Sequence, residues 1–280
     1  MRKSRNGVLG AILIALALVA AACGSGEDAK EGPTITIGSA NFSENALVAE
    51  IYAQVLEDKG YPVERNLNVG NREVYAAALE SGDLDLLPEY VGTALSFKGG
   101  TPTSDSAATA QALRDVWGAD GIAVLEPAPA QDKNGIVVRQ DTADALGLSK
   151  ISDLAAHTDL VFGGPPECPE REFCLIGLTD VYGLSFADFK PLDVGGALTV
   201  AALEGDEIQV ALLFTSDGVI SAKGFVLLED DKGLQPAENL TPVIRQDILD
   251  AYDDDLVDAL NEVSACLLYT SDAADDYLTV

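Results

Sequence analysis

The sequence predicts an α/β protein made of two similar lobes, each a mixed sheet flanked by helices, joined by two hinge crossings. Three observations carry this. The stretch AALESGDLDLLPEYVGT, from Ala77 to Thr93, reads as a helix end, a Ser-Gly-Asp turn and a short strand of buried type, Leu84 to Leu87. A second stretch, AALEGDEIQVALLF from Ala201 to Phe214, follows the same plan and lays Phe214 over Tyr90, 124 residues earlier. Upstream, TITIGS at Thr34 to Ser39 is matched by DLVFGG at Asp159 to Gly164, with Gly163 over Gly38 at an offset of 125. Two strand-loop units at nearly one spacing imply a repeated lobe, each copy aiming an aromatic ring at a shared gap.

Taken in order, the chain opens on a processing signal. Arg2, Lys3 and Arg5 precede an apolar run from Val8 to Ala22 that is short for a membrane span. The pattern Val-Ala-Ala-Ala-Cys, ending at Cys23 and followed by Gly-Ser-Gly, resembles a bacterial lipoprotein signal, in which residues 1–22 are removed and Cys23 is lipidated. Residues 23–33 then form a tether. Thr34 to Gly38 alternates as a strand, and SANFSE leads into a helix over Asn45 to Lys59. The start of that helix, at Asn41 and Phe42, offers free backbone amides that suit an anionic group. A strand at Pro62 to Leu67 and a helix at Glu73 to Ser81 bring the chain to the opening stretch. There Pro88, which has no amide hydrogen, is expected to end the strand and leave Glu89-Tyr90 at its carboxyl edge. Open parallel sheets bind ligands beyond such edges, which makes Tyr90 a candidate binding residue.

Ala107 to Trp117 is a helix whose single Trp belongs to the core, and Ile122 to Leu125 is a strand. The Pro-rich EPAPAQDKNG between this strand and Ile136 to Arg139 is what a crossing between lobes requires. The second lobe then runs through the Leu160 to Gly164 strand, the loop CPEREFC and the second AALEG unit. Beyond Phe214, Thr215 and Asp217 are candidate caps for a helix facing the gap. Gly224 to Glu229 is expected to be a strand that recrosses, and Asp247 to Ala265 a helix that packs back on the first lobe. The resulting division is 34–130 with 226–265 for lobe 1 and 131–225 for lobe 2. Residues 266–280, CLLYTSDAADDYLTV, lack an amphipathic period and read as an anomalous, non-native tail.

Composition narrows the function. A formal net charge of −29, from 46 acidic and 17 basic residues, speaks against a nucleic-acid partner. His157 is the single histidine and sits in no motif; there is no Gly-x-Ser-x-Gly elbow and no metal-ligand cluster. Paired acids such as Asp83/Asp85 read as solvated turns, so neither an enzyme nor a cofactor is expected. Cys168 and Cys174 suit a short-range disulfide in an oxidising compartment; the alternative, metal ligation, finds no second pair and no nearby His. Arg171, between them, could clamp a carboxylate bidentately.

The blocks ITIGSANFSEN, GDLDLLPEYVGTAL, PAPAQDKNGIVV, DVYGLSF, PLDVGGALTVAALEGDEIQVALLFTSDG and VLLEDDKG, in this order, resemble the substrate-binding proteins of osmoprotectant ATP-binding-cassette importers, the glycine betaine, choline and proline betaine group. The resemblance spans about Thr34 to Ala265. It implies a hinged type II periplasmic-binding-protein fold, a lipid anchor, no catalysis, and a monomer that delivers its solute to the membrane subunits of an ABC permease. Proteins of this group hold a quaternary ammonium in a box of tyrosines and the substrate carboxylate by polar side chains. Tyr90 matches a box tyrosine, Thr93 a polar contact and Asp132 a pocket position. Asn134 stands where the group has another box tyrosine, and Ala40 where it often has a lysine; Phe214 is expected to supply a ring. A tetraalkylammonium cannot hydrogen-bond, so aromatic faces at about 0.5–2 kcal/mol each must select it. The alternatives are the same receptor for another polar solute, such as an amino acid, or an exported enzyme.

Overall fold

The computed structural model describes residues 29–252 and 254–268. The signal at 1–22, Cys23 and most of the expected tail, 269–280, lie outside the described residues. In chain order lobe 1 contains β1 (Ile35–Ala40), α1 (Ser43–Asp58), β2 (Val63–Gly70), α2 (Arg72–Ser81), β3 (Leu86–Tyr90), α3 (Val91–Phe97), α4 (Ser106–Gly118) and β4 (Ile122–Val124). Lobe 2 contains β5 (Asn134–Arg139), α5 (Gln140–Leu146), β6 (Val161–Gly164), α6 (Leu175–Asp180), β7 (Asp188–Pro191), α7 (Ala197–Glu204), β8 (Val210–Phe214), α8 (Val219–Lys223) and β9 (Phe225–Leu227). The chain then returns to lobe 1 for β10 (Leu240–Arg245), α9 (Gln246–Ala251) and α10 (Asp254–Cys266).

The two sheets share one plan. Their strand orders are β2-β1-β3-β10-β4 and β7-β6-β8-β5-β9. Three parallel strands are followed in each case by an antiparallel fourth, β10 or β5, and by a fifth antiparallel to it. The register repeats too. Ile37 pairs with Leu86 in one lobe and Phe162 with Val210 in the other. The glycine of each first strand has a steric reason: a Cβ at Gly38 would lie 2.5 Å from Leu84, and one at Gly163 would lie 2.5 Å from Ile208. The repeat read in the sequence is therefore a repeat of packing.

Alternation along each central strand feeds two cores, one per face. Leu86 packs with Ile35, Tyr52 and Leu260 beneath α1 and α10, whereas Leu87 packs with Leu79, Leu113 and Trp117 beneath α2 and α4. In lobe 2, Val210 and Leu212 join Phe162 and Leu178, and Ala211 and Leu213 join Leu203 and Ile208. Helix α1 buries Asn45, Val48, Ala49, Tyr52, Ala53 and Leu56, the stripe expected of an amphipathic helix. Among the described residues no helix is long and apolar enough to cross a membrane.

Two expectations are corrected here. Pro88 does not end β3, because in an antiparallel pair alternate residues turn their polar edge away from the partner strand. Pro88 faces Pro242 across the pair, and the carbonyls of both bond away from it. The Pro88 carbonyl accepts from Asn45 Nδ2 at 2.9 Å, and that of Pro242 from Leu125 N at 3.0 Å. Nor does the strand after Gly224 recross at residue 226. β9 pairs with β5, Val226 opposite Val138, and stays in lobe 2. The return crossing is 228–239, and the strand that enters lobe 1 is β10, which the sequence reading did not foresee. The outgoing crossing, 125–133, lies in the Pro-rich segment. The two crossings bridge antiparallel at Gln131 and Asn239, with Asp132 N donating to Glu238 O at 3.0 Å.

Candidate functional site

A cavity of about 380 Å³ opens between the lobes, beside the crossings and at the carboxyl ends of β1 and β3 and of β8. Its aromatic floor is assembled from three element ends. Phe42 stands in extended backbone immediately before α1, and its ring lines the cavity. Tyr90 is the last residue of β3 and Phe214 the last of β8. The rings form one run from lobe to lobe: Phe42 lies 4.8 Å from Phe214, stacked, and 5.9 Å from Tyr90.

Polar groups tie this run together. Tyr90 OH donates to Glu44 Oε1 at 2.9 Å, and Ser216 Oγ of lobe 2 donates to the other oxygen of the same carboxylate. Burial, with Glu44 adding to it, holds the Tyr90 phenol well above its ordinary pKa, so it remains a donor. Asp132, on the outgoing crossing, is 5% exposed; its Oδ1 accepts from Ser216 N at 3.0 Å and its Oδ2 has no partner. Desolvation raises its pKa well above that of an ordinary carboxyl, Glu44 raises it further, and the Ser216 bonds oppose both. An opposite charge placed beside such a carboxyl would favour its ionised form.

A second polar group, which the sequence reading missed, lies under Thr93. Glu89 is fully buried and accepts from Arg72 Nε at 3.1 Å, Arg72 Nη2 at 2.8 Å, Tyr75 OH at 2.9 Å and Tyr90 N at 2.7 Å. Arg72 Nη2 also reaches Thr93 Oγ1 at 2.8 Å, and Thr93 N donates to Glu238 Oε1 at 2.9 Å. Burial drives the Glu238 carboxyl up to about 8 against the pull of Arg72. Arg72 loses to desolvation but is carried above its usual value by Glu89. The signal available in the sequence was slight: a scarce basic residue at a helix start, in a chain where acids abound.

Of the sequence candidates, Asn41, Phe42, Tyr90, Thr93, Asp132, Asn134, Arg171 and Phe214 all line the cavity. Asn134 has no ring to offer and donates Nδ2 to Phe173 O at 3.0 Å. Thr215 and Asp217 are not among the lining residues. Thr215 Oγ1 accepts from Lys133 N at 2.9 Å and Asp217 Oδ1 from Val219 N at 2.9 Å, so both serve the turn after β8. Cys168 and Cys174 are joined, which closes the loop carrying Arg171. That loop touches lobe 1 twice: Arg171 Nη2 donates to Glu73 Oε1 at 2.5 Å, and Ser96 Oγ to Glu172 Oε2 at 2.8 Å. Among the described residues no group of His, Cys, Asp and Glu side chains is placed to hold a metal ion.

Residues 33–278 match the family described as the substrate binding domain of ABC-type glycine betaine transport systems. The glycine betaine-binding protein YehZ of Escherichia coli is 29% identical over 231 residues, covering 78% of this chain and 76% of that protein. A glycine-betaine-binding protein of Pseudomonas aeruginosa is 28% identical over 232 residues, 78% of this chain and 74% of its own. Among solved structures, a glycine betaine/carnitine/choline ABC transporter protein superposes with a TM-score of 0.65 at 22% identity, covering 84% of this chain and 86% of that one, a likeness of fold.

Proposed function

The chain belongs to the substrate-binding domains of ABC-type glycine betaine transport systems, and we propose that it captures a small quaternary-amine solute, cationic or zwitterionic, and hands it to the permease of its importer. The family is one of solute receptors rather than enzymes. The observation that carries the choice of ligand is the run of Phe42, Tyr90 and Phe214 across the gap, with the unpartnered Asp132 Oδ2 beside it. Ring faces and a buried carboxylate are what a cation without hydrogen-bond donors can use. Rings supplied by both lobes also make binding and closure one event, since the contacts are complete only when the lobes meet. The lipoprotein-like signal supports anchoring outside the membrane through Cys23, with the receptor acting as a monomer.

Asn134 favours a second reading, a different polar solute such as an amino acid, because the box lacks a ring on that side. Isothermal titration against a panel of quaternary amines and amino acids separates the two. Heat with at least one quaternary amine is expected, and Tyr90→Ala should weaken it about tenfold, the worth of one good ring face. No heat with any quaternary amine would reject the ligand class and leave the receptor role standing.

A further inference from the structure

Small quaternary amines come in two electrical kinds, cations and zwitterions, and a cavity tells them apart by what it offers a second charge. Among the described residues lining this cavity the basic ones are Arg72 and Arg171, facing five acids: Asp132, Glu167, Glu170, Glu172 and Glu238. Both arginines are committed. Arg72 grips the buried Glu89 through two nitrogens and reaches Thr93. Arg171 is held by Glu73 of the opposite lobe at 2.5 Å. The Thr93 hydroxyl accepts from Arg72 and lies 3.4 Å from Glu238 Oε2, to which it donates. The start of α1, where an anion could have docked, carries Glu44 in its first turn.

A carboxylate arriving with the ligand would therefore find each arginine already paired with an acid, and would have to share it or displace Glu73 from Arg171 and break a contact between the lobes. The positive end of a ligand meets the opposite situation. Asp132 Oδ2 is buried with no partner, and the groups around it are Glu44 on α1, Tyr90 at the end of β3, Glu238 on the return crossing, and Ser216 and Thr215 after β8. None of these is a cation. The geometry points to a ligand of net positive charge that carries no carboxylate, a choline-like trimethylammonium alcohol, with Asp132 as its counter-charge and Glu73 occupying the arginine that a betaine would need. This deepens the proposed quaternary-amine site and rests on it.

The test is titration of choline and of glycine betaine into the wild-type protein, Glu73→Gln and Asp132→Asn, with melting curves to confirm folding. Choline is expected to bind at least tenfold more tightly than glycine betaine. Glu73→Gln, at a half-exposed position, should narrow that ratio at least fivefold by releasing Arg171 to the betaine carboxylate. Asp132→Asn should weaken choline at least tenfold, because it removes the counter-charge of the ammonium; should that variant not fold, Glu73→Gln alone decides. Glycine betaine binding as tightly as choline, or a ratio that Glu73→Gln leaves unchanged, overturns the inference while the quaternary-amine reading survives. Heat with neither compound, nor with any other quaternary amine, is a different failure: it removes the quaternary-amine reading and this inference with it.

Discussion

The two lobes present an aromatic ring to the cleft from the same place in equivalent sheets, yet they fix it by opposite means. In lobe 1 the residue before Tyr90 is Glu89, a buried carboxylate with four hydrogen bonds into Arg72, Tyr75 and the Tyr90 backbone. In lobe 2 the residue before Phe214 is Leu213, fully buried against Val137, Leu203 and Ile208. The elements after the first strand differ as well. β1 leads into the 16-residue α1, which anchors itself by an apolar stripe. β6 leads into a loop closed by Cys168–Cys174 and the 6-residue α6, which buries little. One backbone plan thus accepts a polar solution and an apolar one. The polar solution also supplies what lobe 2 lacks, a charged floor continuous with the return crossing through Thr93 and Glu238.

The largest expected effect comes from breaking the polar solution on one side only. Arg72→Met leaves the Glu89 charge buried without its cation, and should cost about 3–5 kcal/mol in denaturant unfolding. Adding Glu89→Leu, which copies the Leu213 arrangement into lobe 1, should recover at least half of that. A single variant as stable as wild type would mean that the network does not anchor the rim.

A smaller effect is expected from Glu238, read through pH. Its carboxyl is raised from 4.5 to about 8 in the folded protein. Between those values the folded chain keeps a proton that the unfolded chain has released, so wild-type stability falls as pH rises through that window and levels off above it. Gln does not titrate. Glu238→Gln should therefore gain on wild type by on the order of 2 kcal/mol between pH 5 and pH 8. The exposed acids whose pKa values are lowered by their partners are common to both proteins and cancel in the difference. Parallel melting-temperature profiles would deny Glu238 this role.

The smallest effect compares the matched turns after α2 and α7. Gly82 has φ +86°, and the equivalent residue of lobe 2, Asp206, has φ +59°. Gly82→Ala should cost about 1 kcal/mol, from the left-handed backbone and from Arg245 Nη1, 2.9 Å from the added Cβ. Asp206→Gly relieves the strain but gives up an exposed ion pair with Arg139, and should fall within about 0.5 kcal/mol of zero. Equal costs at the two turns would mean that the repeat does not extend to turn energetics.

Much of this was legible because it is local. The strand-turn-helix units and their spacing were readable, since Gly38 and Gly163 are forced by Leu84 and Ile208 a few tens of residues away. Tyr90 and Phe214 were readable because they sit at strand ends, where a sheet meets its cleft, and Asp132 only through the resemblance. What escaped depends on partners far along the chain. LTPVIR becomes β10 only because its proline faces Pro88, more than 150 residues earlier, and a proline in isolation argues against a strand. Glu44 and Glu238 looked like two more acids in an acid-rich chain. Their place became visible only once lobe closure set Ser216 on one and the crossings set Thr93 on the other.

The interleaving of the fourth strands has a consequence for how the protein is born. Everything in the second sheet, β5 to β9, is contiguous in the chain, but the first sheet waits for β10, some 115 residues after β4 has been made. On a ribosome, or in a translocation channel that passes amino-terminal residues first, the half that emerges earliest is the half completed last. Until Leu240 to Arg245 arrives, the edge of β3 stands open, a place where another nascent chain could dock in error and a chaperone would find its earliest use.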